Sequence, residues 1–347
     1  LTGDTRSPWH LGYGCAGSSM GAAAQLAAGI GTLALGNDAA GSIRMPASFG
    51  GCFGIKPTFG LVANWPPSSA GILGHTGPMG WGVRETALML SVIAGPDPRD
   101  PYALPRLEDV LNADPDRGVA GLRIAYSPTL SVRAPEPEVR AATDRAAAQV
   151  GALGAIVTEA SPDLDGLFDA YDCLRIVNRA AAYKASGAAS QRETMDELVA
   201  RVLDQAAAYN TDDYVAALGA REKLAAQMRA FHERFDLLIT PTMATPPLPI
   251  GAGPGPGDAH WYQIDGKVWS PYTFAFNMTH QPAASIPCGL TSGDSRVPKG
   301  LPLGLQIVGP MYRDDLVLRA ARAFETTRDW QLPQYPFPGG VSGEEKP

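Results

Sequence analysis

Positive charge is in short supply in this sequence. Lys and Arg together number 28 against 35 Asp and Glu, a net charge of -7, and charged residues make up 18% of the 347. With no surplus of cations to replace condensed counterions, nucleic acid is not an expected partner. Cysteine is sparse as well: Cys15, Cys52, Cys173 and Cys288 lie far apart and form no CxxC pair. That excludes a disulfide framework and a Cys-based zinc site, and fits the reduced thiols of a cytoplasmic enzyme. The five histidines, His10, His75, His232, His260 and His280, show neither HxxxH nor HxH spacing, so no metal is expected. Residues 11–36 form a long uncharged run, formally enough to span a membrane. Seven glycines, with Ser18, Ser19 and Gln25, interrupt it, and each glycine in a helix interior costs about 1 kcal/mol. A closely packed buried segment is expected there, and no membrane association. No basic stretch leading into an apolar one opens the chain, so no secretory signal is expected.

What the chain has in plenty is small and apolar residues, with 45% hydrophobic and 39 glycines. Such a length and composition suit a single large domain over residues 1–347. Residues 1–95 are rich in Gly, Ala and Ser, as closely packed loops around an active site tend to be. Residues 96–235 are mainly helical, with helical periodicity at 139–150, 173–185, 192–208 and 211–231 and one short strand at 122–126. Residues 236–330 supply strands at 236–242, 284–288 and 303–308, then a helix at about 314–327. Strands alternating with helices give an α/β class. The proline- and glycine-rich stretch 246–257 reads as an ordered surface loop, with Trp261 and Trp269 beside it as a lid or an anchor.

Two segments carry chemistry. Gly17-Ser18-Ser19-Met20-Gly21 fits GxSxG, the nucleophile elbow, which would make Ser19 the nucleophile of an esterase with His280 as its base. An elbow needs a strand directly before it, and 11–16 is too punctuated by glycine to make a good one. Residues 29–36 approach a dinucleotide fingerprint but break its spacing, and Asp38 follows too soon to read a ribose. They read as packing, so no cofactor is expected. The second segment is Gly36-Asn37-Asp38-Ala39-Ala40-Gly41-Ser42-Ile43-Arg44. Ser18 and Ser42 stand 24 positions apart, both among residues small enough for backbone amides to reach a substrate.

This pairing resembles the amidase signature family, whose block G-G-S-S-G-G is followed at this spacing by D-x-G-G-S-I-R-x-P. Here the second block reads Asp38-Ala39-Ala40-Gly41-Ser42-Ile43-Arg44-Met45-Pro46 and runs on into Gly51-Cys52-Phe53-Gly54-Ile55-Lys56-Pro57-Thr58, near the family's C-G-x-x-G-x-K-P-T. Further landmarks follow in order at 77–84, 236–242, 276–289 and 303–309. The resemblance implies an amidase signature fold, a central mixed β-sheet covered by helices on both faces, with the N-terminal part outside this chain. It also implies an amidase acting on linear or cyclic amides, or on carbamates, through a Ser, cis-Ser, Lys triad. Ser42 would form the acyl-enzyme and Ser18 would be the cis-serine that relays its proton. The backbone amides of Ala39, Ala40, Gly41 and Ser42 would hold the oxyanion. Ser19, Asp38 and Arg44 would support the loop without touching substrate. Cys15, Tyr171, Cys173 and Arg175 are candidate substrate-lining residues, the last three standing against the alternative of one buried helix face.

The resembling family keeps its catalytic lysine well upstream of the serine block. Lys56 falls at the family's downstream structural position, and Lys184, Lys223, Lys267, Lys299 and Lys346 match no motif. The lysine is therefore expected ahead of Leu1, and the 347 residues alone are expected to show no efficient amidase activity. Ala16, Met20, Asn37 and Ala40 depart from the general pattern. They make the chain look more like the branch of aminohexanoate cyclic-dimer hydrolase and related amide or carbamate hydrolases, the nylon-oligomer and urethane enzymes. Glutamyl-tRNA amidotransferase subunits, which act with partners, remain the alternative. The expected ligand is a small-molecule amide or carbamate, and a homodimer is left open.

Overall fold

Short apolar runs separated by amphipathic stretches condense around one eight-stranded sheet. In chain order its strands are β1 (Leu33–Asp38), β2 (Phe53–Lys56), β3 (His75–Gly80), β4 (Arg123–Tyr126), β5 (Ile156–Glu159), β6 (Leu237–Pro241), β7 (Ala283–Leu290) and β8 (Pro302–Val308). The computed structural model describes residues 3–328 apart from 165, 196, 253–262 and 265–266. Trp261, part of the 246–257 loop and Lys346 therefore lie outside the described residues.

The strands are ordered β1-β3-β2-β7-β8-β6-β4-β5. Neighbours from β1 to β6 pair antiparallel, while β4 pairs parallel with both β6 and β5, so the sheet is mixed. Side chains alternate between its faces along each strand. On β6, Leu237 and Ile239 enter one core while Leu238 enters the other. Helices α3 (Val83–Ile93), α4 (Pro137–Ala152) and α9 (Asp314–Glu325) cover the first face through Leu90, Val150 and Phe324. On the second face lie α5 (Leu167–Ala185), α7 (Thr211–Arg234) and α8 (Phe274–Met278), packed through Leu174, Met228 and Phe276. Two short elements complete the numbering, α1 (Met20–Ala27) and α2 (Arg44–Gly50), with α6 (Glu197–Gln205) preceding α7. Among the described residues no helix is long and apolar enough to cross a membrane.

The second face also carries a polar row. Ser285, Gln306 and Thr240 stand opposite one another on β7, β8 and β6. Against it sits α2, buried along its whole length. The approach is close: a β-carbon on Gly304 of β8 would lie 2.5 Å from the Ser48 hydroxyl and 2.7 Å from its Cβ. Pro46 sits in the first turn of α2, where no intrahelical N–H bond is lost.

The sequence reading underestimates the order of residues 1–95, which provide β1, β2 and β3 and the two short helices. Their glycines mark close approaches rather than loops; on β3, a β-carbon at Gly77 would lie 2.2 Å from the Ile55 carbonyl oxygen. A strand does form over His10–Gly14, in a two-stranded ribbon with Arg6–Ser7 outside the main sheet. The expected helix 192–208 is instead a 3-10 segment (Ala188–Thr194) followed by α6, and α7 then restarts at a capping box from Asn210.

Candidate active site

β1 ends at Asp38, and the chain turns through residues 39–43 before entering α2. The turn is organised by the Asp38 carboxylate, which accepts from the backbone N–H of Gly41 at 2.7 Å and of Ile43 at 3.2 Å. It also takes Nε and Nη2 of Arg44 at 3.0 and 2.9 Å and the Asn277 amide at 2.9 Å. Arg44 spends its remaining donors on the Thr273 carbonyl (2.9 Å), Gln306 Oε1 (2.8 Å) and Asn277 Oδ1 (2.6 Å). Both charged groups are fully buried. Burial alone would raise the Asp38 pKa, but the attraction and hydrogen bonds of Arg44, with help from Asn277, hold it well below the usual carboxylate range. Gly41 has φ +120°, and a β-carbon there would lie 2.5 Å from Thr273 Oγ1, so only glycine fits at the apex.

Ser42 sits just past that apex and Ser18 on the loop leading into α1. The Gly17–Ser18 peptide bond is cis, at the position where the resemblance places a cis-serine. The two loops touch through the backbone, the Ser19 N–H donating to the Ser42 carbonyl at 3.2 Å. Both serines line two adjoining cavities. The larger, about 500 Å³, is walled by Phe49, Leu248, Ile250 and Trp269 with Ala40 and Cys15. The smaller, about 270 Å³, is polar, with Asn37, Asn64, Ser68 and Ser69. A further cavity of about 270 Å³, beyond Asn64 and Ser68, is lined by Phe59, His75 and Asn178 and holds neither serine.

Ser19 does not line either serine cavity. Its hydroxyl is within 3.3 Å of the Asn37 N–H and 3.4 Å of the Asn37 carbonyl, tying α1 to β1. His280 stacks on Phe59 at 4.1 Å, accepts from Arg221 and bonds the Ile72 carbonyl at 2.8 Å. Nothing brings it to Ser19, so the esterase pair is not assembled. Lys56 is buried, with its amine on the carbonyls of Pro57 (3.3 Å) and Gln281, and no lysine among the described residues lines either serine cavity.

Two expectations change here. The Gly41 N–H is committed to Asp38, so it cannot face an oxyanion; the amides left for that role are those of Ala39, Ala40 and Ser42. Of the four expected lining residues, Cys15 does line the larger cavity, with burial pushing its thiol up to about 11 against an opposing hydrogen bond from Ser7. Tyr171, Cys173 and Arg175 are buried instead and line neither serine cavity. Tyr171 stacks on Phe274 at 4.5 Å and Arg175 pairs with Asp172 at 3.0 Å. One turn beyond them on α5, Arg179 lines both cavities. Spacing of four from Arg175 puts it on the same helix face, a signal the sequence carried but that depth alone could resolve.

A protein-family model described as Amidase matches residues 1–318. An acylamidase of Rhodococcus erythropolis is 33% identical over 341 residues, covering 95% of this chain and 68% of the relative. A glutamyl-tRNA(Gln) amidotransferase subunit of Symbiobacterium thermophilum is 31% identical over 353 residues, covering 93% and 69%. Among solved structures, 6-aminohexanoate cyclic dimer hydrolase matches with a TM-score of 0.85 at 29% identity, over 95% of this chain and 72% of that one. A bacterial aryl acylamidase of the amidase signature family matches with a TM-score of 0.82 at 29% identity, over 94% and 69%.

Proposed function

Because this chain belongs to the amidase signature family, we propose that it hydrolyses a C–N amide or carbamate bond through an acyl-enzyme on Ser42, with Ser18 relaying the proton. One observation supports this above the others: the two serines, distant in sequence, line the same two cavities beside a glycine-apex turn. An amide is a weak electrophile with a poor leaving group. It therefore calls for an activated hydroxyl, charge stabilisation on the carbonyl oxygen and protonation of the departing nitrogen.

In this reading the Ser42 hydroxyl attacks the carbonyl carbon and its proton passes to Ser18. From there it moves to the lysine that the resemblance places ahead of Leu1. The backbone N–H groups of Ala39, Ala40 and Ser42 receive the negative charge on the carbonyl oxygen. As the C–N bond breaks, Ser18 returns a proton to the nitrogen, and water then attacks the acyl carbon to free Ser42. The apolar wall of Phe49, Leu248 and Trp269 favours an amide with a hydrophobic or aromatic half. That fits the relatives named as acylamidases better than a component of a glutamine-dependent amidotransferase.

Labelling of the full-length protein, the upstream lysine included, with a fluorophosphonate followed by peptide mapping tests the assignment. The label is expected on Ser42, and Ser42→Ala should abolish turnover while Ser18→Ala slows it at least ~100-fold. A label on Ser19, or full activity in Ser42→Ala, overturns it.

A further inference from the structure

Arg179 stands apart from the other cations around the site. It extends from α5 to the wall shared by both serine-lined cavities, and its Nε is buried without a hydrogen-bond partner. It forms no ion pair with any described residue. One turn earlier on the same helix the fold treats a structural guanidinium differently, burying Arg175 against Asp172 at 3.0 Å. Arg44 is likewise matched by Asp38. Of the two carboxylates lining these cavities, Asp38 is already saturated by Arg44, Asn277 and its own turn, and Asp4 forms no ion pair with Arg179. Asp4 lines only the larger cavity, from an exposed position. A half-buried guanidinium whose Nε is sealed from water without a partner is unfavourable, and such groups in a cleft mark places where a ligand completes the set.

We propose that Arg179 receives a carboxylate of the substrate. The preferred substrates would then be amides bearing that carboxylate a few bonds from the scissile carbonyl, with an apolar group in the cavity of Phe49 and Trp269. The planar fork of a guanidinium matches a carboxylate through two parallel N–H donations, which fixes orientation as well as affinity. Asn64, Ser68 and Ser69 in the smaller cavity offer further donors to the same group. This inference rests on the reading of Ser42 as nucleophile, since that residue sets where the scissile carbonyl lies.

Two probe pairs locate the charge. Succinanilic acid against butyranilide carries the carboxylate on the acyl half; N-benzoylglycine against N-ethylbenzamide carries it on the amine half. Within at least one pair the acid is expected to have the higher kcat/KM by about tenfold or more. In Arg179→Met that ratio should collapse toward one, with the loss in KM, and Arg179→Lys should restore part of it. Binding separates this from the chemistry: the inactive Ser42→Ala protein, titrated calorimetrically with the preferred acid, should bind about tenfold more weakly once Arg179→Met is added. Equal preference for acid and neutral probe in both pairs overturns the proposal. So does an unchanged Kd, or an Arg179→Met effect confined to Tm. A failure of the Ser42 assignment would show separately, as a label on another residue and as heat of turnover in the Ser42→Ala titration.

Discussion

Around the Gly41 turn, individual residues decide function by how completely they are matched. Arg44→Met would leave Asp38 buried without its cation, and breaking a buried pair from one side costs about 3–5 kcal/mol. Urea denaturation should show that loss, together with at least ~100-fold lower kcat; an active, equally stable variant would contradict the turn's dependence on the pair. Gly41→Ala meets both the φ of +120° and a clash with Thr273 and is expected to reduce kcat at least ~100-fold as well, since amide directions in the turn would shift. The residues of this turn could be read in the sequence because motif and contact coincide: Asp38 and Arg44 are six apart and bond each other. Arg179 could not, because nothing in its neighbours tells a cavity wall from a buried face. The direction of the Gly41 N–H was equally hidden, being set by where the Asp38 carboxylate lies in three dimensions.

Among the elements, α2 depends on having no side chain at position 304 beneath Ser48. Gly304→Ala would push a methyl group into Ser48 and to within 2.8 Å of the Ser285 hydroxyl. Overpacking of this kind costs typically about 1–3 kcal/mol. Thermal unfolding should report a lower Tm, and Ser48→Gly added to Gly304→Ala should recover part of it by removing the nearer obstruction. No recovery would mean the clash lies elsewhere. Strands β6, β7 and β8 were legible as apolar runs ended by Pro or Gly. β1 (Leu-Ala-Leu-Gly-Asn-Asp) and β3 (His-Thr-Gly-Pro-Met-Gly) were not, because glycine interrupts each and neither alternates apolar with polar along its length.

Protonation acts on the molecule as a whole. Burial, with Arg221 and Lys56 nearby, lowers His280 from 6.5 to about 3. An unfolded chain therefore takes up a proton near 6.5 that the folded chain refuses until about 3. Stability falls as pH drops through that window and this group takes no more from it below. His75 is shifted the same way, chiefly by burial. Calorimetry from pH 7 to pH 4 should show Tm declining, and His280→Asn, which tolerates the positive φ found there, should flatten the slope. Identical slopes would remove His280 as a source.

The hydrogen bonds of Arg44 to Thr273 and Gln306 close gaps of 229 and 262 positions. During synthesis, the segment bearing both serines emerges long before those partners exist. Until those partners arrive, only Asp38 holds the Arg44 side chain and the turn is incompletely braced, so a half-made polypeptide carries an unfinished site. Arrival of Thr273 and Gln306 completes the acceptor set of Arg44, and with it the geometry on which the proposed hydrolysis depends.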